Sequence, residues 1–241
     1  MVHKNRIAIF GASGTIGQAL VKWFSLREWE VLALTRKGNP PEGSIFSPLV
    51  CWAPCDPINS IYPSTFLGET LSLNAAIWAQ GKNFNDNIYQ FDPVTHEEIY
   101  RANVLYILQT LEFLITGHYL ISQSRLCIIS SIWQKIARQN KLSYTITKAA
   151  LQGLVMSASL DLGRDGHLLN AILPGALDTP MTRKNLNEEQ IKKIESSTLY
   201  NRLATLEDIC NTAGFLCSQE NTGLTGQFIT VDLGFSYARI L

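Results

Sequence analysis

Short apolar runs alternate along the chain with segments in which apolar residues recur every three or four positions. The helical spacing is clearest after the first run, where it continues to Glu28. The runs predict strands near positions 6–10, 30–35, 49–53, 73–79, 126–130, 168–173 and 228–231. This alternation predicts an α/β fold in three layers, with a doubly wound, parallel, seven-stranded sheet between two layers of helices.

Composition narrows the class of protein. With 241 residues, of which 46% are hydrophobic and 17% charged, the chain can form a single domain over residues 1–241. The formal net charge is zero and no Lys/Arg cluster exceeds a pair, so we expect no nucleic-acid partner. We also expect a cytoplasmic protein, because neither a leader peptide nor a long apolar segment is visible. The five cysteines and four histidines show no metal-ligand spacing, which predicts no metal.

A glycine-rich turn links the first predicted strand to the first predicted helix. The segment 11–17 reads Gly-Ala-Ser-Gly-Thr-Ile-Gly. Strand, glycine turn and helix in this order favour a dinucleotide site, because a pyrophosphate can approach the backbone and the helix N-terminus. A simple turn is the alternative interpretation. The predicted cofactor contacts in this turn are Gly11, Ser13, Gly14, Thr15, Ile16 and Gly17.

The end of the second predicted strand indicates which nicotinamide cofactor is used. Thr35 is followed by Arg36 and Lys37, and no acidic residue lies between Val31 and Lys37. In this type of fold an acidic residue here binds the ribose 2′-hydroxyl, whereas an arginine pairs with a 2′-phosphate. We therefore predict NADP(H) in preference to NAD(H), with Arg36 as the main contact. The alternative is a solvated basic loop.

Tyr144 and Lys148 are the main candidates for catalysis. Residues four apart share a helix face, and a lysine cation beside a phenol is expected to lower the phenol pKa. Ser131 lies thirteen positions before Tyr144, at the end of the apolar run near 126–130. A phenol, an ammonium and a hydroxyl at the carboxyl edge of a parallel sheet could protonate a carbonyl group.

These motifs together resemble those of the short-chain dehydrogenase/reductase family, in its single-domain subgroup that includes 3-oxoacyl-ACP-reductase-like members. The resemblance covers nearly the whole chain and implies a Rossmann fold. It implies that Asn103 is a fourth catalytic residue, which anchors a water for proton relay through Lys148. It also implies that Asp56 contacts the adenine and that the segment Pro174, Gly175 and Thr179 covers the nicotinamide.

Two departures from the family pattern bear on the site. The middle glycine falls one place early, with Thr15 where a glycine is usual, and backbone donors are still expected to line the turn. The segment after the fourth strand reads Trp78-Ala-Gln-Gly81 rather than Asn-Asn-Ala-Gly. We expect Gly81 to remain a cofactor contact. We expect Trp78, Trp133 and Gln134 to line the substrate pocket.

The resulting hypothesis is an enzyme that interconverts a ketone and a secondary alcohol with NADP(H). Tyr144 is the expected proton donor, Ser131 binds the carbonyl oxygen, and Lys148 stabilises the tyrosinate and holds the ribose. Two alternatives stay open. One is a catalytically silent NADP-binding scaffold or sensor, and the other is a sugar-ketone reductase of glycan biosynthesis, since the glycine spacing weakly resembles that of nucleotide-sugar enzymes.

Two further features concern the surroundings of the site. Residues 182–201 are polar and weakly periodic, and the resemblance implies a substrate lid there, although a plain exposed helix is the alternative. The predicted helices near 100–117 and 146–163 carry more apolar surface than one sheet face can cover. A self-complementary contact through these helices predicts a homodimer or homotetramer.

Overall fold

In the described part of the chain seven parallel strands form one sheet, across which the third, second, first, fourth, fifth, sixth and seventh strands of the chain follow one another. The computed structural model of the protein describes residues 4–44, 47–63 and 72–237. The strands are β1 Arg6–Phe10, β2 Glu30–Thr35, β3 Val50–Pro54, β4 Leu73–Trp78, β5 Leu120–Ile129, β6 Leu168–Pro174 and β7 Phe228–Val231. The predicted α/β class and doubly wound sheet are confirmed.

Helices lie on both faces of this sheet. They are α1 Thr15–Ser25, α2 Pro93–Tyr100, α3 Tyr106–Thr116, α4 Leu142–Gly163, α5 Pro180–Asn185, α6 Glu188–Ser196 and α7 Leu206–Cys217. A turn of π-helix, Arg101–Leu105, joins α2 to α3. Short 3₁₀ turns occur at Pro57–Asn59, Ile88–Gln90 and Ile132–Gln134.

The alternation of side chains along each strand divides the core into two layers. Phe10 and Leu34 face α3 and α4, and pack with Leu111 and Leu154. The intervening strand residues face α1 and α7, so that Ile9 belongs to the second layer. Because helices cover both faces, the strands β1, β2, β4 and β6 are largely apolar and buried, which is why they appear in the sequence as apolar runs.

Some boundaries differ from those that the sequence predicted. Helix α1 ends at Ser25 rather than at Glu28, because Glu28 adopts a positive φ of 63° that closes a turn. Strand β5 begins at Leu120, six residues before the predicted run, with an irregularity in its pairing to β4. Its first half is partly exposed and polar, so it lacks the apolar signature.

Candidate active site

The turn between β1 and α1 has no room for side chains at two of its glycines. Gly11 has a φ of +75°, and a Cβ there would lie 2.5 Å from the backbone nitrogen of Gln80. A Cβ on Gly17 would lie 2.2 Å from the carbonyl oxygen of Gly11, so α1 begins against the end of β1. Gly14 precedes the helix without a side-chain cap. The first N–H groups of α1 therefore have no acceptor within the helix and are available to an anion.

A cleft of about 610 Å³ opens above this turn. Six of the residues predicted to contact a cofactor line it: Gly11, Ser13, Gly14, Arg36, Asp56 and Gly81. Its other wall contains Gln80, which the sequence placed in the departing segment Trp78-Ala-Gln-Gly81, and five residues that the sequence did not indicate, namely Lys82, Glu98, Arg101, Ala102 and Tyr106. Most of these follow β4 or belong to α2 and the π-helical turn. No motif in the sequence revealed that this part of the chain folds back over the glycine turn.

Arg36 and Asp56 lie in the cleft at the ends of β2 and β3. The hydroxyl of Thr35 accepts a hydrogen bond from the backbone N–H of Gly38 at 2.8 Å, which fixes the turn that carries the exposed Arg36. One carboxylate oxygen of Asp56 accepts from the side-chain amide of Asn59 at 2.8 Å. The guanidinium of Arg36 and the carboxylate of Asp56 thus line the part of the cleft that lies next to β2 and β3.

The side chain of Gln80 provides a test of whether the cleft suits a nucleotide. Gln80 lines the cleft, and neither its amide oxygen nor its amide nitrogen has a partner within the described residues, although both atoms are buried. Leaving such groups unpaired costs roughly 1–3 kcal/mol each. The hydroxyl and phosphate groups of a dinucleotide are donors and acceptors that could pair with them. The cleft therefore fits the predicted cofactor.

Ser131, Tyr144 and Lys148 meet at the carboxyl end of β5. Ser131 lies two residues after the end of this strand, and Tyr144 and Lys148 lie one turn apart near the start of α4. The Lys148 Nζ lies 5.7 Å from the centroid of the Tyr144 ring and donates to the Ile129 carbonyl at 3.2 Å. The Ser131 side chain lies beside that of Tyr144 and affects its ionisation. The structure thus brings together the three side chains that the sequence singled out.

The ionisation of this pair differs from the sequence expectation. Burial raises the pKa of Tyr144 above its ordinary value of 10.0, and the Ser131 side chain opposes that rise. Burial lowers the pKa of Lys148 from 10.5 to about 8. The expected net lowering of the Tyr144 pKa is therefore wrong for this geometry, because the loss of solvation outweighs the effects of neighbouring groups on both side chains.

Asn103 lies in the π-helical turn and is buried. Its Oδ1 accepts from the backbone N–H of Lys82 at 2.7 Å, and its Nδ2 donates to the Lys82 carbonyl at 3.0 Å and to Thr147 Oγ1 at 2.9 Å. The side chain thus joins the loop after β4 to α4. Turns of π-helix are frequent at functional sites. The proton relay through a water near Asn103 stays a prediction.

The segment after β6 reaches the same edge of the sheet. Pro174 ends this strand, and a Cβ on Gly175 would lie 2.6 Å from the Cβ of Asp232. Thr179 is buried and caps α5 by accepting from the backbone N–H of Thr182 at 3.2 Å. None of the three lines the 610 Å³ cleft. Their contact with a nicotinamide stays a prediction.

Trp78 does not line a substrate pocket, and this expectation is corrected. It is 0% exposed, stacks on Phe10 with ring centroids 5.3 Å apart, and donates through Nε1 to Thr110 Oγ1 at 2.7 Å. The alternation of side chains along β4 turns it into the core beneath α3.

The other two residues expected in the pocket follow Ser131 in a 3₁₀ turn. The Gln134 Oε1 accepts from the Ser130 hydroxyl at 2.7 Å, and its buried Nε2 has no partner among the described residues. Trp133 is half-buried and donates its backbone N–H to the Ser131 hydroxyl at 3.3 Å. The structure places both near Ser131. Their contact with a substrate stays a prediction.

Three further observations concern the segment after β6, metal binding and membrane spans. Residues 182–201 contain most of α5 and all of α6, which begins with a capping box at Asn187. Within residues 4–44, 47–63 and 72–237, no cluster of three His, Cys, Asp or Glu side chains could hold a metal. No helix in the same part of the chain has the length and hydropathy needed to cross a bilayer.

Comparison with known families shows which family the chain matches. Residues 71–236, more than half of the chain, match the family described as enoyl-(acyl carrier protein) reductase. A curated relative is the L-rhamnose 1-dehydrogenase (NADP(+)) of Thermoplasma acidophilum, 31% identical over 151 residues. The alignment covers 57% of this chain and 59% of the relative, so the chain spans little more than half of that protein's length.

Solved structures show the same fold. A short chain dehydrogenase family protein from Francisella tularensis superposes with a TM-score of 0.85, at 20% identity, over 98% of this chain and 100% of its own. The 4-hydroxyisoleucine dehydrogenase complexed with NADH also gives a TM-score of 0.85, at 22% identity, over 98% of this chain and 100% of its own. The likeness extends over the sheet and both layers of helices.

Proposed function

The chain belongs to the short-chain dehydrogenase/reductase family, and on that premise we propose that it is an oxidoreductase that interconverts a ketone and a secondary alcohol with NADP(H). The observation that carries the proposal is the meeting of Ser131, Tyr144 and Lys148 at the end of β5. This group lies at the carboxyl edge of the sheet, as does the cleft that fits a dinucleotide.

Each of the three side chains has a distinct role in the proposed reaction. When bound, the reduced nicotinamide supplies the hydride to the carbonyl carbon. The Ser131 hydroxyl donates to the substrate oxygen and holds it beside Tyr144. Tyr144 donates the proton that completes the alcohol, and its raised pKa keeps it protonated at neutral pH. Lys148 supplies a cation 5.7 Å from the ring, which stabilises the tyrosinate that remains.

The preference for NADP(H) is inferred from Arg36. This side chain lies in the cleft, exposed, at the end of β2, and Lys37 is the next residue. A guanidinium pairs with a phosphate through two parallel hydrogen bonds, whereas a ribose 2′-hydroxyl favours a carboxylate. The name of the Thermoplasma relative specifies NADP(+), and that of the 4-hydroxyisoleucine dehydrogenase structure specifies NADH. Arg36 is the local feature that supports the phosphorylated cofactor in this chain.

We assign the substrate to small ketones or secondary alcohols that bind near Trp133, with residues 182–201 acting as a lid over them. A sugar substrate is the second candidate. The likeness to an L-rhamnose dehydrogenase favours it. Acyl thioesters are the competing class of substrate, because the description of the matching family is enoyl-(acyl carrier protein) reductase.

We further infer a homodimer or homotetramer formed through α3 and α4. Leu108, Ile146, Met156 and Leu160 are large apolar side chains exposed on these two helices. A second copy of the same surface would remove them from water. Light scattering on the purified protein tests this inference, and a monomeric mass at micromolar concentration would contradict it.

The function is tested by transfer of a labelled hydride. NADPH deuterated at the nicotinamide C4 is supplied with separate panels of keto sugars, 3-oxoacyl thioesters and cyclic ketones. We expect at least one panel to yield an alcohol that carries deuterium on the former carbonyl carbon. Tight NADPH binding without deuterium transfer on any panel would instead support a silent cofactor-binding protein.

A further inference from the structure

Helix α4, which carries Tyr144 and Lys148, begins without a capping side chain of its own. Its N-cap residue is Lys141, whose side chain makes no hydrogen bond to the first turn. Helices α2, α5, α6 and α7 each begin at a side chain that accepts from a first-turn N–H. The first N–H groups of α4 must therefore find acceptors elsewhere in the chain.

Asp86, in the loop between β4 and α2, supplies those acceptors from 57 positions away. Its Oδ1 accepts from the backbone N–H of Ser143 at 3.0 Å, and its carbonyl accepts from the backbone N–H of Leu142 at 3.3 Å. Its Oδ2 accepts from the Ser143 hydroxyl. Asp86 is 5% exposed, so these bonds form away from water. A carboxylate at this place also complements the positive end of the helix dipole.

Two more side chains secure the same junction. The Nδ1 of His96, on α2, lies 2.8 Å from the Ser143 hydroxyl oxygen. Because that hydroxyl already donates to Asp86, His96 is the donor, and the three residues form one directed chain of hydrogen bonds. Lys141 donates to the side-chain oxygens of Asn83, at 2.8 Å, and of Asn85. The loop is thus tied to the beginning of α4 on both sides of Asp86.

The geometry of α4 connects this junction to the reacting groups. Ser143 and Thr147 lie one turn apart, and they face Asp86 and Asn103 respectively. Tyr144 and Lys148 are the next residues along the chain, each about 100° further around the helix. They lie on the neighbouring face, toward the end of β5. A helix held along the first face cannot rotate without turning Tyr144 away from Ser131.

We propose that Asp86 is a positioning residue of the reaction. As a distant cap of α4, it fixes the rotation of the helix and thereby the direction of the Tyr144 hydroxyl. His96 supports it by orienting the Ser143 hydroxyl. The inference rests on the proposed function for its catalytic consequence. Its structural part, the orientation of Tyr144, can be measured without turnover.

The first test compares Asp86→Ala with Thr205→Ala. Thr205 caps α7, on the other face of the sheet, and its removal is a matched loss of a helix cap. We expect Asp86→Ala to lower kcat about ten- to hundredfold, since misplacing a reacting group by about 1 Å costs that much. NADPH affinity should fall much less than kcat, because the proposed cofactor contacts in the glycine turn are untouched and Lys148 is the proposed cofactor contact on α4 that the change affects. Thr205→Ala should lower the melting temperature and leave kcat unchanged.

The conservative substitution Asp86→Asn adds a rescue. An asparagine oxygen still accepts from the Ser143 backbone, so kcat should recover most of the loss seen in Asp86→Ala. If Asp86→Ala does not fold, Ser143→Ala tests the proposal instead. This variant removes the hydroxyl that links His96 to Asp86 and leaves the backbone N–H of residue 143 in place. A normal kcat in the folded variant would overturn the proposal.

The second measurement needs no substrate. Protein labelled at the phenolic carbon of tyrosine with an NMR-active isotope gives one resonance per tyrosine, and Tyr144→Phe assigns that of Tyr144. We expect the Tyr144 resonance to shift or broaden in Asp86→Ala and to stay in place in Thr205→Ala. An unmoved resonance in Asp86→Ala would overturn the proposal. Absence of turnover in the wild-type protein would contradict only the proposed function.

Discussion

The Lys148 Nζ lies 5.7 Å from the centroid of the Tyr144 ring, and it donates to the Ile129 carbonyl at the end of β5. Both side chains leave α4 on the same face, one turn apart. The Lys148 residue is 4% exposed. A buried cation loses its solvation, and this loss lowers the stability of the folded protein. The proposed catalytic role of Lys148 therefore has a cost in unfolding free energy.

We predict that Lys148→Met stabilises the folded protein near pH 7 while removing activity. Burial lowers the Lys148 pKa from 10.5 to about 8, so the charged form at pH 7 costs roughly 3 kcal/mol at most. Between those two values the unfolded chain binds more protons, and the stability of the wild type rises with pH. The difference in unfolding free energy between variant and wild type should therefore shrink from pH 8 to pH 10. A lower stability of Lys148→Met at pH 7 would show that the charge is well accommodated.

We predict that Arg36→Gln weakens NADPH binding about ten- to hundredfold, because a hydrogen-bonded phosphate contributes about 1.5–3 kcal/mol. NADH binding should change by less than about threefold, since NADH lacks the 2′-phosphate. Fluorescence titration measures both affinities, and Lys37→Gln is the neighbouring control. Equal losses for the two nucleotides would refute the role of Arg36 in selecting the cofactor.

We predict that Thr110→Val destabilises the protein by about 1–3 kcal/mol without changing KM, because it leaves the buried Trp78 Nε1 without an acceptor. Thr116→Val is the control, since Thr116 is exposed on the same helix and bonds only its own helix backbone in the described residues. Urea denaturation gives the two unfolding free energies. A large change in KM with unchanged stability would instead indicate that Trp78 contacts the substrate.

We predict that acid destabilises the fold through His167. Its Nδ1 lies 2.8 Å from the Ser124 hydroxyl, and burial lowers its pKa below 6.5. As the pH falls, His167 therefore takes up its proton in the unfolded chain before it does so in the folded protein. The stabilisation that neutral His167 contributes is complete above about pH 6.5, and it is lost as the pH falls through the pKa of His167 in the folded protein. His167→Asn, which keeps an acceptor for Ser124, should flatten the pH dependence between pH 7 and pH 5. An unchanged slope would show that other groups dominate.

The sequence predicted the sheet because its central strands are covered on both faces and are therefore largely apolar runs. It also predicted the meeting of Ser131, Tyr144 and Lys148, since strand ends and helical spacing determine which residues share an edge. Only local rules were needed for these features. The capping box of Thr205 and Asp208 at the start of α7 follows the same kind of local rule, since its two residues lie three positions apart.

The sequence could not predict features that depend on long-range packing. Trp78 ends an apolar run like a pocket residue, and only the pairing of β4 with its neighbours shows which face it occupies. The cap of α4 by Asp86 joins residues 57 positions apart, so no local pattern marks it. The raised pKa of Tyr144 likewise follows from burial, which spacing alone does not reveal.

The most direct test of the account is the kcat of Tyr144→Phe on the ketone that the labelled-hydride assay identifies. We predict a loss of about 10²- to 10⁴-fold, the usual contribution of a positioned acid. NADPH affinity should stay near that of the wild type. Tyr89→Phe, which removes a hydroxyl from a side chain that is 94% exposed, should keep full activity. Retention of most of the activity in Tyr144→Phe would contradict the account.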